Sequence, residues 1–264
     1  MGIPIEGSGF TLSAPVYPSP CVILGNVGQP YTDIHETSAA QQLALGTQLI
    51  LPGGRKFRYA KNGGTQLSKA LMTSSEANYA QAVNEAQGTS GTNVEVGDYQ
   101  ITIDVATGGT WVENEYAGGF LSIDESTGIS DFYEIIANHS VSDLVMQLLL
   151  RHPIRTAFAA GTKLTFIKNP WRDVDVMPTT AEGTPTGVPL VTVPANYYCW
   201  LQRGGCTPML VDDGDTIVKG NVVGLGGTDP GAVQAVGADT TLVYGVAVYV
   251  AAADKTAIID LLLD

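Results

Sequence analysis

The side chains that most often carry chemistry are few in this sequence and stand far apart. The three histidines, His35, His139 and His152, occur singly, without the HExxH or HxH spacing that brings two imidazoles to one metal ion. The GxSxG signature of a nucleophile elbow is absent, so no local pattern indicates a serine hydrolase.

Two acid pairs are the closest match to a glycosidase, which places two carboxylates on either side of the scissile bond. They are Glu113 with Glu115 and Asp124 with Glu125, and Trp111 stands close to the first pair. A sugar-binding groove is one interpretation. The other, which we favour, places these acids in solvent at the ends of strands. We therefore predict no catalytic residue and no enzymatic activity.

Two further segments resemble ligand loops. Asp212, Asp213 and Asp215 in VDDGDT look like the start of a calcium loop, but the distant glutamate of an EF-hand is missing. Aspartates around a glycine also suit a plain tight turn. The glycine-rich residues 224–231 would need a helix directly after them to cradle a phosphate, whereas the strand-like AVQAV follows. We predict no metal and no cofactor.

The elements around these residues read as strands. Residues 188–264 form short apolar runs that end at Gly, Pro or Asp, a pattern typical of packed antiparallel β-structure. Ile101 and Ile103 alternate with polar residues, and segment 143–151 is apolar on both faces, as in a central strand. Further strands are predicted at 119–124, 131–138 and 162–168. The predicted fold is mainly β, with jelly-roll or β-sandwich/barrel-like antiparallel strands.

One or two short helices are expected within residues 65–87. This segment lacks Gly and Pro, is rich in Ala, Gln and Glu, and carries a thin apolar stripe at helical spacing. A break is expected at residues 73–75.

Charge excludes one class of partner. The chain has 13 lysines and arginines against 26 aspartates and glutamates, a net charge of −13. Nucleic-acid phosphates would repel such a chain. Charged residues make up only 15% against 44% apolar residues, which indicates surface buried against neighbouring subunits. No run approaches the roughly 18 apolar residues of a membrane span, and no signal peptide is evident. We expect neither a nucleic-acid nor a membrane partner.

The three cysteines are Cys21, Cys199 and Cys206, without a CxxC pair. A hairpin turn is expected at Gly204 and Gly205. A two-residue loop there would place Arg203, not Cys199, opposite Cys206, so a disulfide is not favoured, although a slipped register would permit one. Idle thiols in a reducing cytoplasm are the expectation.

Two groups of residues are candidates for binding a protein partner. The first lies in an extended N-terminal arm rich in Pro and Gly, where apolar residues recur at Ile3, Ile5, Phe10 and Tyr17. The second is the basic cluster of Arg55, Lys56, Arg58 and Lys61, which follows a turn at residues 52–54 and whose first three members are the candidates for binding. The alternative for the basic cluster is an edge strand that is protected by its charge.

These elements predict four segments. Residues 1–46 form the arm, 47–170 a β-rich domain with a short helix, 171–187 a linker, and 188–264 a small C-terminal β-domain.

The order of motifs resembles tailed-bacteriophage virion proteins that decorate or cement capsids. The pattern begins with LPGGRKFRYAKNGGTQLSKALM and continues through ENEYAGGFLSIDESTGISDFYEIIANH, LLLRHPIRTAF and KLTFIKNPWRDV. It ends with GVPLVTVPANYYCWLQRGG and the glycine-bounded strands up to YGVAVYVAAADKTAIIDLLL. The similarity covers residues 47–264, and the closing strands also resemble small head-decoration domains.

This resemblance implies an all-β homotrimer on the outer surface of an icosahedral head, assembled in the host cytoplasm. There it would bridge neighbouring major capsid proteins and resist the pressure of packaged DNA. Two other classes stay open. One is a tail or fibre protein that binds glycans through Trp111, Trp171 or Trp200, and the other is an enzyme that uses a carboxylate pair.

Overall fold

The computed structural model describes residues 22–24, 33–76, 88–104, 112–124, 130–142, 145–236 and 242–264. Within these residues every regular element is a β-strand, and almost all pairings are antiparallel. The prediction of a mainly β protein with barrel-like antiparallel strands is therefore confirmed.

In chain order the strands are β1 (Val22–Leu24), β2 (Gln48–Ile50), β3 (Lys56–Lys61), β4 (Thr73–Ser74), β5 (Gly88–Ser90), β6 (Gln100–Asp104), β7 (Phe120–Ile123), β8 (Phe132–Ser142), β9 (Val145–Leu150), β10 (Lys163–Ile167), β11 (Asp175–Val176), β12 (Pro185–Pro189), β13 (Tyr198–Leu210), β14 (Thr216–Ile217), β15 (Val222–Leu225), β16 (Val233–Ala235), β17 (Val243–Tyr249), β18 (Ala251–Ala252) and β19 (Thr256–Leu262). They belong to two units: described residues between 88 and 169 form one, and residues 22–24, 33–76 and 170–264 form the other.

The first unit is a closed barrel in the order β10-β5-β6-β9-β8-β7. Its interior follows the period of two in each strand: Ile101 and Ile103 point inward from β6, as the sequence predicted. Strand β9 lies between β6 and β8, and both of its faces are buried at Leu148, Leu149 and Leu150, so the central position predicted for 143–151 is confirmed for its described part. Tyr116 and Phe166 meet edge to face in this core, with ring centroids 4.8 Å apart.

The second unit is built on one sheet in the order β1-β2-β3-β13-β19-β17-β15-β16, with β4, β11 and β12 attached beside it. The strand–turn–strand predicted around residues 52–54 is confirmed as β2 and β3, which pair antiparallel from Gln48 opposite Arg58 to Ile50 opposite Lys56. The long strand β13 holds the sheet together because it pairs with β3, β12 and β19.

The helix expected over residues 65–87 is wrong for its described part, residues 65–76. Leu67 exchanges backbone hydrogen bonds with Val193, and the Met72 amide donates to the Gly231 carbonyl at 2.7 Å. Both Leu67 and Met72 are fully buried, so long-range pairing and core burial outweigh a local helix propensity that differs by only tenths of a kcal/mol per residue. Residues 77–87 lie outside the described residues.

The hairpin expected at Gly204 and Gly205 is also wrong, because β13 runs straight through both glycines. The register against β3 shifts between Gln202 and Gly204, which marks a β-bulge, and Gly205 has a φ of 77° that favours glycine. A bulge leaves carbonyl groups outside the ladder. The buried Gln202 side chain donates hydrogen bonds to these groups, since its Nε2 lies 3.0–3.1 Å from the carbonyl oxygens of Gly204, Gly205 and Cys206.

The predicted segments need three corrections. Described residues 33–46 are not a free arm, since Ile34, Leu43 and Leu45 pack into a core cluster of the second unit. Residues 171–187 are not a linker, because they contain β11 and part of β12 around the buried Val174. Strands β13, β15, β16, β17 and β19 from the predicted C-terminal domain share one sheet with β2 and β3, so residues 188–264 are not a domain of their own. Proline and glycine content cannot distinguish such strand connections from a linker.

Candidate functional site

The acidic segment and the glycine-rich segment, whose contacting residues Asp212 and Gly227 are 15 residues apart, bind each other in the structure. Asp212 is buried, and its carboxylate accepts hydrogen bonds from the amides of Gly227 at 2.9 Å, Thr228 at 3.1 Å and Asp229 at 2.6 Å. Successive amides of a glycine-rich turn form an anion cradle. The anion here is a side chain of the same chain, and the cradle ties the end of β13 to the loop before β16.

The neighbouring aspartates take part in the same turn. Asp215 Oδ2 accepts a hydrogen bond from the Ala235 amide at 2.7 Å, and the Asp213 amide donates to Asp229 Oδ2 at 3.1 Å. The Asp215 carboxylate thus satisfies a backbone N–H donor of β16, the strand at one edge of the sheet. These contacts form a tight turn, which is the structure that the sequence favoured over a calcium loop. In the part of the chain that the structure describes, no three His, Cys, Asp or Glu residues are grouped so as to hold a metal ion.

The acid pairs have different surroundings. Glu113 is exposed, whereas Glu115 forms an ion pair with the nearly buried Lys168, Oε1 to Nζ 2.7 Å. Asp124 accepts a hydrogen bond from the Thr165 hydroxyl. Glu125 and Trp111 lie outside the described residues. Glu115 and Asp124 thus each have a structural contact within the barrel unit.

Three residues of the predicted basic cluster, Lys56, Arg58 and Lys61, lie on the internal strand β3, and Arg55 directly precedes it. The alternative of a charged edge strand is therefore wrong. Strand β3 is covered on one side by β2 and on the other by β13. Arg55 Nη2 donates to Gln202 Oε1 at 2.8 Å. Lys56 Nζ donates to the Asp264 backbone oxygen at 3.2 Å, and Arg58 Nε lies 3.4 Å from Asp264 Oδ2.

Arg203 joins this arrangement, although the sequence reasoning did not single it out. Its Nε donates to Asp264 Oδ1 at 2.9 Å, and its guanidinium lies 5.0 Å from the ring centre of Trp171. Arg58 approaches the same ring at 5.8 Å. Two arginines that lie over one indole ring therefore hold Asp264, which follows the last strand. We call this set, Arg58, Trp171, Arg203 and Asp264, the carboxylate clamp.

The arm residues proposed to bind a partner, Ile3, Ile5, Phe10 and Tyr17, lie outside the described residues. Their role and that of Arg55, Lys56 and Arg58 in binding a partner stay predictions.

Two cysteines are free thiols with different surroundings. Cys199 is buried, and this burial raises the pKa of its thiol to about 12. Cys206 is exposed, and the bulge in β13 lies between it and Cys199 along the strand. Cys21 lies outside the described residues.

One face of the second sheet is open and apolar. Residues that stand opposite each other in neighbouring strands share a face, as do residues two apart in one strand. The rows Val222–Val246–Asp260–Cys206 and Tyr249–Ile258–Pro208 follow from the pairings of β15, β17, β19 and β13, and Leu262 lies two residues beyond Asp260. We call these eight residues the outer face: Cys206, Pro208, Val222, Val246, Tyr249, Ile258, Asp260 and Leu262.

The outer face contrasts with the reverse side of the same strands, where Ala257, Ile259 and Leu261 are buried in the core. Tyr249 is 64% exposed and Leu262 is 62% exposed. Eight of the twelve exposed large hydrophobic residues in the described chain fall between 218 and 262, and three of them, Val222, Tyr249 and Leu262, belong to the outer face. The sequence carried a signal for this face, because TAIIDLLL is apolar at successive positions instead of alternating.

The fold and these sites define a class, an all-β protein with an open apolar sheet face. Protein-family models, curated proteins and solved structures offer no match to this chain. Among the described residues, no helix has the length and apolar character needed to cross a membrane.

Proposed function

We propose that this chain is a structural virion protein that decorates and cements the outer surface of a bacteriophage head. In this proposal it bridges neighbouring major capsid proteins and acts as a trimer. The motif order described above is one support, and the outer face is the structural observation that carries the proposal.

The distribution of charge agrees with an adhesive role. Asp212 and Asp264 bind polar groups inside the second unit, so these two carboxylates stabilise the fold. The outer face instead leaves apolar side chains in water, and such patches mark sites of protein association. A stable contact buries about 1,600 Å² in total. Repeated contacts around a symmetric shell add strength through effective concentration.

A tail or fibre protein that binds glycans is the alternative. Trp200 is only 4% exposed, so its ring is not available to a sugar. Trp171 is engaged in the carboxylate clamp. One observation favours glycan binding on the barrel unit: Phe132 is 57% exposed and stacks on Phe120 with ring centroids 4.8 Å apart. Aromatic faces bind the apolar sides of sugars, and a glycan array with a Phe132→Ser variant tests this alternative.

The proposed function is tested by recombination. Heads of the encoding phage that have been stripped of this protein should bind the purified chain with saturation at a fixed number of copies per head. Electron cryomicroscopy should then show added density outside the shell. Recovery of the chain from tails alone would contradict the proposal and favour the alternative.

A further inference from the structure

We propose that the outer face is the surface that docks on the shell, and that its partner there presents an apolar patch carrying one lysine or arginine opposite Asp260. This inference rests on the proposed function and deepens it, because it names the contact surface and the chemistry of the partner.

The position of Asp260 carries the argument. In the register of the sheet Asp260 lies between Val246 on β17 and Cys206 on β13, with Ile258 and Leu262 two residues away on its own strand. It is the one charged residue among the eight of the outer face. Lys56, which stands opposite Gly204 in the row of Leu262, borders the same face, and its Nζ donates to the Asp264 backbone oxygen. No ion pair among the described residues involves Asp260.

A lone carboxylate in an apolar contact specifies its partner. Covering Asp260 with an apolar surface would remove its water without compensation, at a large cost in free energy. A cation opposite it restores the interaction and fixes the register of the two surfaces. The occupant is therefore a protein that offers a cation within an apolar patch.

A second copy packed face to face is disfavoured by the same charge. A two-fold interface brings equivalent patches together, so two Asp260 carboxylates would approach each other near the axis. Each copy also carries a net charge of −13, which adds repulsion. Face-to-face pairing of two copies is therefore disfavoured, and in the proposed function the occupant of the outer face is the major capsid protein.

Two pairs of variants test the inference in binding to stripped heads of the encoding phage. Tyr249→Glu places a charge on the outer face, and Val96→Glu is its control in the barrel unit, since both native side chains are 64% exposed. Asp260→Lys reverses the charge, and Glu113→Lys makes the same change at an exposed site elsewhere. We expect both outer-face variants to weaken binding at least about tenfold and both controls to bind like the native chain.

The native thiol on the outer face provides a second readout. In a Cys21→Ser background, Cys206 should react with a maleimide in free protein and be protected on heads, while Cys199 stays unreactive. A Val112→Cys variant, which carries its thiol at an exposed site of the barrel unit, should react in both states. Unfolding curves and circular dichroism confirm that each variant is folded.

The outcomes separate the two proposals. If the native chain binds stripped heads and Tyr249→Glu and Asp260→Lys bind them equally well, the docking face is overturned and the proposed function stays intact. A loss of self-association in these variants, measured by sedimentation, with head binding unchanged would assign the outer face to a second copy and also overturn it. No binding of the native chain to heads would overturn both.

Discussion

Replacing Asp212 tests whether the acidic turn and the glycine-rich loop are one structural device. Three consecutive amides, those of Gly227, Thr228 and Asp229, donate to this carboxylate over distances of 2.6–3.2 Å. Asp212→Ala removes the acceptor for all three amides. Asp212→Asn keeps one neutral oxygen and points an NH₂ group toward donors.

The magnitude follows from the number and kind of these bonds. A hydrogen bond to a charged group contributes about 1.5–3 kcal/mol to stability. The three contributions are not additive, because the exposed Gly227 and Thr228 can turn their amides to water after the change. We therefore expect Asp212→Ala to lower the free energy of unfolding by about 3 kcal/mol and Asp212→Asn by about 2 kcal/mol.

The assay is chemical denaturation followed by tryptophan fluorescence. Trp171 and Trp200 both belong to the second unit, so a Trp111→Phe background makes the emission report on that unit. Asp213→Asn is the matched control, since Asp213 is exposed and its expected effect is within about 0.5 kcal/mol. Equal stability of Asp212→Asn and Asp213→Asn would refute the cradle. A calcium-dependent gain in stability that Asp212→Asn abolishes would restore the calcium-loop interpretation.

Three further predictions concern buried polar groups. Arg203→Met should lower the free energy of unfolding by about 1.5 kcal/mol and change the emission of Trp171, because Asp264 loses its hydrogen bond of 2.9 Å and keeps Arg58 at 3.4 Å; unchanged stability would show that Arg203 does not stabilise this unit. Glu115→Gln should destabilise the barrel by about 2 kcal/mol in thermal unfolding, since Lys168 loses a partner at 2.7 Å, and a neutral result would contradict this. Burial raises the pKa of Cys199 from 9.0 to about 12, so its contribution to stability is present below pH 9 and lost as the pH rises toward 12. The unfolding free energy of Cys199→Ala should accordingly fall less steeply in this range, by about 1.4 kcal/mol per pH unit, and parallel slopes would contradict the assignment.

Much of the fold was predictable because period-two patterns survive in the sequence. Ile101 and Ile103 identify β6, and the two-sided apolar segment at 143–151 identifies a central strand of the barrel. Turn residues at 52–54 predict the β2–β3 connection. These signals are local, and a half-buried strand expresses them whatever its partner is.

The errors arose where distant contacts decide the structure. Leu67 is paired by Val193, so a segment with favourable helix propensity is extended. Gly204 and Gly205 suit a turn and a bulge equally, and the Gln202 side chain and the facing strand β3 settle which one forms. Asp212 is 15 residues from Gly227, the loop residue whose amide it accepts. No short window of sequence contains both partners of such a contact.

The outer face was only partly predictable. Val246 and Asp260 lie on one face because of strand pairing, and the β-bulge between Ala247 and Tyr249 brings Tyr249 to the same side. A strict alternation would have placed Tyr249 on the other face from Val246. The composition indicated that some surface is buried against neighbouring subunits. It could not indicate which strands carry that surface, because this depends on the order of strands in the sheet.

The most direct test of the central claim is a comparison of head particles with and without this chain by electron cryomicroscopy. The proposal predicts density for an all-β protein outside the shell, in contact with the major capsid protein, that disappears when the chain is stripped and returns when it is added. Heads that show no such difference, or density confined to the tail, would contradict it.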